Sequence, residues 1–241
     1  LPIADRALPF GAWGAGFIDK RHPHTLLHEF MLSLNLWELG EGDLSLSAGR
    51  GFVPYGSDDP MSRPGLKFPT NHHLSQLPER WVVSGLYLYD GWGVETSVFG
   101  GTESRGPYDF SNINSFGDSW SARVSKRWGP GSGPFSTWEV STSYARVAGF
   151  HHGMKETNQL WNMALRSGPN GHWGLQEAFV EASFGQQVHN NDFFSVLAEL
   201  WFDWSMHQPF VRVEYSSRPE YLRDRRAGDS GFFRYDQATD P

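Results

Sequence analysis

Apolar and polar residues alternate with a period of two along most of the chain. In the segment 193–204, Phe194 and Val196 fall on one face of an extended strand, and Glu199 falls on the other. This pattern predicts a strand with one apolar and one polar face. Repeated along the chain, it predicts roughly eleven strands of about ten residues, the length that crosses a bilayer at a tilt. The predicted strands cover 9–18, 26–37, 44–53, 80–89, 92–100, 118–128, 136–145, 160–166, 172–184, 193–204 and 210–216.

The predicted connections alternate between short and long. The short ones are 40–43, 90–92, 129–134, 168–171 and 206–209. The long ones are 19–25, 54–78, 102–117, 149–156, 185–191 and 217–231. Alternate connections of an up-and-down meander lie at the same end, as in outer-membrane barrels with tight turns at one end and long loops at the other. We therefore predict an all-β fold, an up-and-down antiparallel transmembrane β-barrel, as a single domain over 1–241.

The C-terminal end does not fit a closed barrel with an even number of strands. After a short apolar stub at 231–236 the chain ends in polar residues, whereas single-chain bacterial barrels have even strand counts. Three explanations stay open. The closing strands are missing from this sequence, several chains share one barrel, or the sheet is not a closed barrel.

Charged residues in mid-strand indicate that one face of the sheet is wet. We predict that eight of them line a pore, namely Glu29, Arg123, Glu139, Arg166, Glu199, Asp203, Arg212 and Glu214. Tryptophans near strand ends on the opposite face fit the aromatic girdles of a membrane barrel. The alternative is a soluble, lipocalin-like barrel with the aromatic face inside, because alternation alone does not say which face is enclosed.

The long connection 54–78 carries the densest set of charged residues and prolines. Four prolines between Pro54 and Pro69 restrict its backbone and reduce the entropy lost when the loop is ordered. We predict that it folds into the lumen and constricts it, with the constriction formed by Asp58, Asp59, Arg63 and Lys67. The alternative is an external loop held by its own Asp–Arg pairs.

Histidines cluster in the predicted external loops. His22, His24, His72 and His73 are candidate zinc or copper ligands, since imidazoles that converge can bind either metal. The alternative is that they are exposed loop histidines that bind nothing. We predict no cofactor and no catalytic residue.

Composition excludes several classes of protein. The chain has 37 aromatic residues (Trp 11, Tyr 8, Phe 18), which a disordered chain would lack. Its net charge of −7 disfavours a nucleic-acid partner, and the absence of cysteine removes disulfides and Cys-ligated metal sites. No stretch approaches about 18 uncharged apolar residues, so a helical membrane span is not expected.

Three segments resemble uncharacterised porin-like outer-membrane β-barrel proteins of Gram-negative bacteria. They are Arg21 to His28, Gly51 to Met61 with Asn71 to Gln76, and Phe116 to Trp120. The resemblance implies an outer-membrane barrel and brings no residue roles with it.

From the residues and this resemblance we predict a channel in the bacterial outer membrane that passes small polar solutes or ions with a mild preference for cations. The expected partners are the bilayer, lipopolysaccharide and the solutes, with a homo-oligomer or a larger envelope complex also open. The alternatives are a barrel that uses its loop histidines as a metal-binding protein or a hydrolase, and a structural subunit of a surface assembly.

Overall fold

A computed structural model of the chain describes ten β-strands and one short 3₁₀ helix, Ser111–Ser115. The described residues are 27, 29–57, 76, 77, 79–102, 110–129, 135–151, 154–169, 174–187 and 191–217. The strands are β1 Phe30–Leu39, β2 Gly42–Gly51, β3 Arg80–Tyr89, β4 Trp92–Gly100, β5 Phe116–Trp128, β6 Phe135–His151, β7 Met154–Pro169, β8 Leu175–Gln187, β9 Asn191–Phe202 and β10 Phe210–Ser216. No helix in these ranges is long and apolar enough to cross a bilayer.

The ten strands form one antiparallel sheet in which every strand pairs with its neighbours in the sequence. The predicted all-β, up-and-down meander is therefore confirmed, and β3, β4 and β10 have the predicted bounds. Among the described strands, β1 and β10 each have only one neighbour, so the described sheet is open between them. The predicted strand 9–18 and the stub 231–236 lie outside the described residues.

The two-residue connections 40–41 and 90–91 lie at the same end of the sheet, which we call the tight-turn end. Asp90 and Gly91 join β3 to β4 with φ values of 44° and 73°. Positive φ at both central residues matches the twist of a two-residue hairpin. The amide of Arg127 on β5 donates to the carbonyl of Gly91 at 2.8 Å, and a side chain at Gly91 would collide with the carbonyl oxygen of Arg127. The turn therefore requires glycine at this position.

Connections at the opposite end differ in length. The connection from β2 to β3 covers 52–79, and the connection from β4 to β5 covers 101–115. Both are long, as predicted. The loop predicted over 149–156 is wrong, because β6 and β7 pair as far as His151 and Met154. The connection there has only two residues.

The loop predicted over 185–191 is also wrong, because β8 and β9 pair as far as Gln187 and Asn191. Glycine is a common turn residue, yet Gly185 lies in β8 opposite Phe193. The hydrogen bonds between the paired strands satisfy backbone N–H and C=O groups that would otherwise need other partners. Pairing between β6 and β7 and between β8 and β9 therefore extends both hairpins beyond the predicted strand ends.

The two faces of the sheet differ in polarity, and the polar face is the enclosed one. On β9 the side chains of Phe194 and Val196 are 45% and 41% exposed, whereas Glu199 is 2% exposed. Val180 and Glu181 on β8 show the same contrast. We call the enclosed face the inner face and the other the outer face. The outward direction of the apolar face, left open by the alternation alone, is therefore settled for strands such as β8 and β9, whereas β1 is exposed on both faces.

Candidate functional site in the interior of the sheet

A row of polar side chains crosses the inner face at one level of the ladder. Its members lie directly opposite one another on six successive strands, β4 to β9. This row, the polar belt, consists of Glu95, Arg123, Ser143, Asn162, Ser183 and Ser195. Directly opposite residues of an antiparallel pair interact across the strands. The belt is therefore a continuous hydrogen-bonding surface rather than a set of isolated polar residues.

A second row, nearer the tight turns, carries charges of alternating sign. This charge ladder runs from β5 to β10 and consists of Arg127, Glu139, Arg166, Phe179, Glu199 and Arg212. Arg127 Nε donates to Glu139 Oε2 at 2.9 Å. Arg166 Nε lies 3.5 Å from Glu177 Oε1. The ladder places most of its charges in ion pairs, so the inner wall is charged but largely self-compensated.

Burial separates the two ends of the charge ladder. The side chains of Glu199 and Arg212 are 0% and 2% exposed and form an ion pair. Glu199 also accepts a hydrogen bond from Trp201 Nε1 at 3.3 Å. Buried charges need this kind of pairing because transfer from water costs several kcal/mol per ion. These two charges therefore face inward as a fixed structural pair.

The chain after β2 enters the interior. We call the segment Phe52–Ser57 the strap, and it crosses the polar belt. Ser121 Oγ on β5 donates to the carbonyl of Pro54 at 3.0 Å. The Gly56 amide donates to Ser143 Oγ on β6 at 2.8 Å. Ser57 Oγ donates to Glu181 Oε1 on β8 at 2.7 Å. The strap thus contacts three strands that lie far from β2 in the sequence.

Apolar packing holds both ends of the long connection inside the sheet. Val53 and Tyr55 from the strap and Leu77 from the returning end share one buried cluster. The wall residues of this cluster are Val82, Phe99, Ala145, Val147 and Leu160. Burial, and secondarily the charge of Glu181, raises the pKa of Tyr55 well above its ordinary value, so the phenol stays neutral.

A cavity of about 640 Å³ opens at the tight-turn end of the interior. Arg123 and Arg127 line it together with their ion-pair partners Glu95 and Glu139. Further carboxylates come from the two hairpin ends: Glu38, Glu41, Asp43 and Asp90. Asp90 lies 3.5 Å from Lys126 Nζ, and the ion pairs between described residues include none of the other three. The cavity therefore carries an uncompensated negative charge.

Aromatic side chains form a continuous row on the outer face near the end with the long connections. Neighbouring ring centroids lie 5.1 to 5.5 Å apart wherever the rings contact. The row consists of Trp120, Tyr144, Trp161, Phe184, Phe194 and Tyr215, with Phe184 directly opposite Phe194. It covers six neighbouring strands. Such a row matches the girdle that membrane barrels place at a lipid–water interface.

A second set of exposed tryptophans lies near the tight turns, and it includes Trp92, Trp128 and Trp204. Trp120 and Trp128 are eight residues apart on β5, or about 26 Å at about 3.3 Å per residue. Along a strand tilted by about 40° this corresponds to about 20 Å along the membrane normal, comparable with the roughly 25 Å height of the apolar band of membrane barrels. Val124, halfway between them, is exposed.

Lys126 interrupts the apolar row of β5 without placing its charge in the middle of the band. Its ammonium lies 5.2 Å from the ring centroid of Trp92 and reaches Asp90 at the hairpin turn. The aliphatic stem lies along the outer face while the charge reaches the polar end, as long basic side chains do at interfaces. The charge that breaks the alternation in the sequence is therefore compatible with an apolar outer band.

Six residues predicted to line a pore lie on the inner face, as their strand partners show. They are Arg123, Glu139, Arg166, Glu199, Arg212 and Glu214. Glu29 and Asp203, also predicted to line the pore, are exposed and lie just outside the strands, because β1 begins at Phe30 and β9 ends at Phe202. That these eight residues line an open passage stays a prediction.

The predicted constriction residues Asp58, Asp59, Arg63 and Lys67 lie outside the described residues. So do the metal candidates His22, His24, His72 and His73. Within the described residues, no group of three or more His, Cys, Asp or Glu side chains could hold a metal ion.

The alternation did not single out the residues on which the strap lies. Glu181 is fully buried, and its place between the apolar residues Val180 and Ala182 was a usable signal for an inward carboxylate. Ser143 and Asn162 gave no comparable signal, because serine and asparagine also occur on solvated faces. Their role is visible only once β6, β7 and β8 are in register.

No family model, no curated protein and no solved structure matches this chain. The resemblance to porin-like barrel proteins therefore stays a prediction.

Proposed function

We propose that the chain forms a β-barrel in the outer membrane of a Gram-negative bacterium and passes small polar solutes through its interior. The observation that carries this proposal is the inverted polarity of the sheet. Glu199 and Arg212 are buried as an ion pair, while Val196 and Val213 on the same strands are exposed. A water-soluble protein rarely leaves so large an apolar surface uncovered. Lipid against the outer face would cover it.

The outer surface supports the membrane part of the proposal. Its aliphatic residues lie between aromatic side chains at both ends, with Val124 midway between Trp120 and Trp128. Water inside the barrel would explain the polar inner face, and lipid around the barrel would explain the apolar outer face. Among the described strands β1 and β10 do not pair with each other, so barrel closure is part of the proposal.

The interior supports the passage of solutes. The polar belt and charge ladder offer hydrogen bonds and paired charges, which lower the cost of moving a polar solute through a low-dielectric slab. The strap narrows this space by crossing it next to Ser143. The acidic cavity at the tight-turn end favours cations over anions by attraction.

The membrane part is tested by purifying the protein in detergent and comparing heated and unheated samples on a gel. We expect a compact, faster-migrating band without heating, because a closed barrel resists unfolding by the detergent. We also expect stepwise conductance when the folded protein is added to a planar bilayer. A monodisperse protein that needs no detergent would contradict the membrane location.

A plugged, structural barrel is the second candidate, favoured by one observation. Val53, Tyr55 and Leu77 pack into the interior from both ends of the long connection. A heat-modifiable protein that gives no conductance steps and releases no trapped solute from vesicles would favour this candidate over a channel.

Neutralising the acidic cavity is expected to reduce the preference for cations. The triple variant Glu38→Gln, Glu41→Gln, Asp43→Asn removes three negative charges from the cavity lining. It retains a side-chain oxygen at position 43, where Asp43 Oδ1 accepts from the Glu38 amide at 2.9 Å. The reversal potential in a potassium chloride gradient should move toward zero.

Asp203→Asn is the matched control for this experiment. Asp203 is an exposed acid at the same end of the sheet and does not line the cavity. Its removal should leave the reversal potential close to that of the wild-type protein. Equal shifts in both variants would indicate a general surface-charge effect and not selectivity set by the cavity.

A further inference from the structure

Two kinds of contact hold the strap on the wall, one that does not depend on direction and one that does. Val53 and Tyr55 pack against apolar wall residues, and such packing is non-directional. The hydrogen bonds at Gly56 and Ser57 are directional and occur at the middle of the polar belt. Only the second kind fixes how far the strap extends across the interior.

Glu181 is the most constrained of the wall partners. It is fully buried, and its Oε1 accepts from Asn162 Nδ2 at 2.6 Å as well as from Ser57 Oγ at 2.7 Å. Asn162 Nδ2 also donates to Ser183 Oγ at 2.9 Å. Asn162 on β7 thus orients the carboxylate independently of the strap, and Ser183 on β8 holds Asn162. Hydrogen bonds to a charged acceptor are stronger than those between neutral groups.

We propose that Glu181, oriented by Asn162, is the positioning residue of the strap, and that the Ser57–Glu181 contact sets the largest solute that passes. The inference rests on the proposed channel function. Ser143 is a second, weaker positioning residue, because it holds the neighbouring amide of Gly56 through a neutral hydrogen bond. Loss of the Glu181 contact frees Ser57, while Ser121, Ser143 and Arg123 still hold the carbonyl of Pro54 and the backbone of Gly56. The end of the strap can then move away from β8.

The test is the rate at which vesicles containing the folded protein swell in sugars of increasing size. In Glu181→Ala, entry of sugars just above the wild-type limit should become about ten-fold faster, the effect of losing a hydrogen bond to a charged acceptor. Glu181→Gln retains an oxygen that accepts from Ser57 and should restore most of the wild-type limit. Entry of the smallest sugar should change little in either variant.

Two further variants separate positioning from a loss of folding. Ser57→Ala removes the strap side of the contact and leaves the wall intact, so it should raise the size limit as Glu181→Ala does. Ser143→Ala should have a smaller effect in the same direction. Its matched control is Ser119→Ala, a buried inner-face serine whose Oγ accepts from the Ala148 amide at 2.9 Å and forms no hydrogen bond with the strap. Each variant is first checked for heat-modifiable migration.

Amide hydrogen exchange of a peptide covering 52–57 gives a readout that does not depend on passage. Exchange should become about ten-fold faster in Glu181→Ala and return toward the wild-type rate in Glu181→Gln. Faster exchange with an unchanged size limit would overturn this inference and leave the proposed channel function intact. Wild-type vesicles that admit no solute would overturn the proposed function, and the inference with it.

Discussion

Arginine in place of Val124 should lower the free energy of unfolding by about 2–4 kcal/mol, the cost of a basic side chain at the midplane of a membrane barrel. Val124 is exposed on the outer face and lies four residues from Trp120 and from Trp128. An arginine there cannot reach either interface without distorting its neighbours. In water the same substitution at an exposed position would change stability by about 0.5 kcal/mol or less.

The measurement is urea-induced unfolding in phospholipid vesicles, followed by tryptophan fluorescence. Met206→Arg is the control, because Met206 is 85% exposed in the turn between β9 and β10, outside the apolar band. We expect its effect to be within about 1 kcal/mol, the range found near the interfaces. Equally mild effects at both positions would indicate that the outer face meets water.

Methionine in place of Arg212 should lower the free energy of unfolding by about 3–5 kcal/mol, because it leaves the carboxylate of Glu199 buried without its cation. Both side chains are almost fully enclosed. The hydrogen bond from Trp201 Nε1 to Glu199 remains, but it adds no positive charge. The double variant Glu199→Gln, Arg212→Met should be less destabilised than Arg212→Met alone, since no uncompensated charge remains.

The same charge ladder supplies the control. Arg127 pairs with Glu139 in the same row, but its side chain is 71% exposed. Exposed ion pairs contribute about 0–1 kcal/mol, so Arg127→Met should be nearly neutral in the same unfolding experiment. Equal losses for Arg127→Met and Arg212→Met would show that burial does not distinguish the two ends of the ladder.

The strands could be predicted because their signal is local. The bounds of β3, β4 and β10 follow from alternation between turn residues. The long loops predicted over 149–156 and 185–191 were wrong in length, because pairing with a neighbouring strand satisfies most of their backbone groups. The residues of one segment do not indicate which strand pairs with it, so the full length of these strands could not be predicted.

The candidate site was predictable only in part. Charges such as Glu199 and Arg212 stood out because a charge in the middle of a strand that alternates with apolar residues is conspicuous. The contact of Ser57 with Glu181 joins residues far apart in the chain, and nothing local to either residue indicates the other. The arrangement of Ser143 and Asn162 as one belt likewise depends on the register of β6 with β7.

By itself, the sequence determined the all-β meander and the division of each strand into an apolar and a polar face, because both follow from the two-residue period of an extended chain. The tertiary structure decided which face is enclosed, how far the later hairpins extend, and that the strap crosses the polar belt to Glu181. These features depend on the curvature and register of the whole sheet. Such properties come from contacts between strands distant in the chain, and no single segment specifies them.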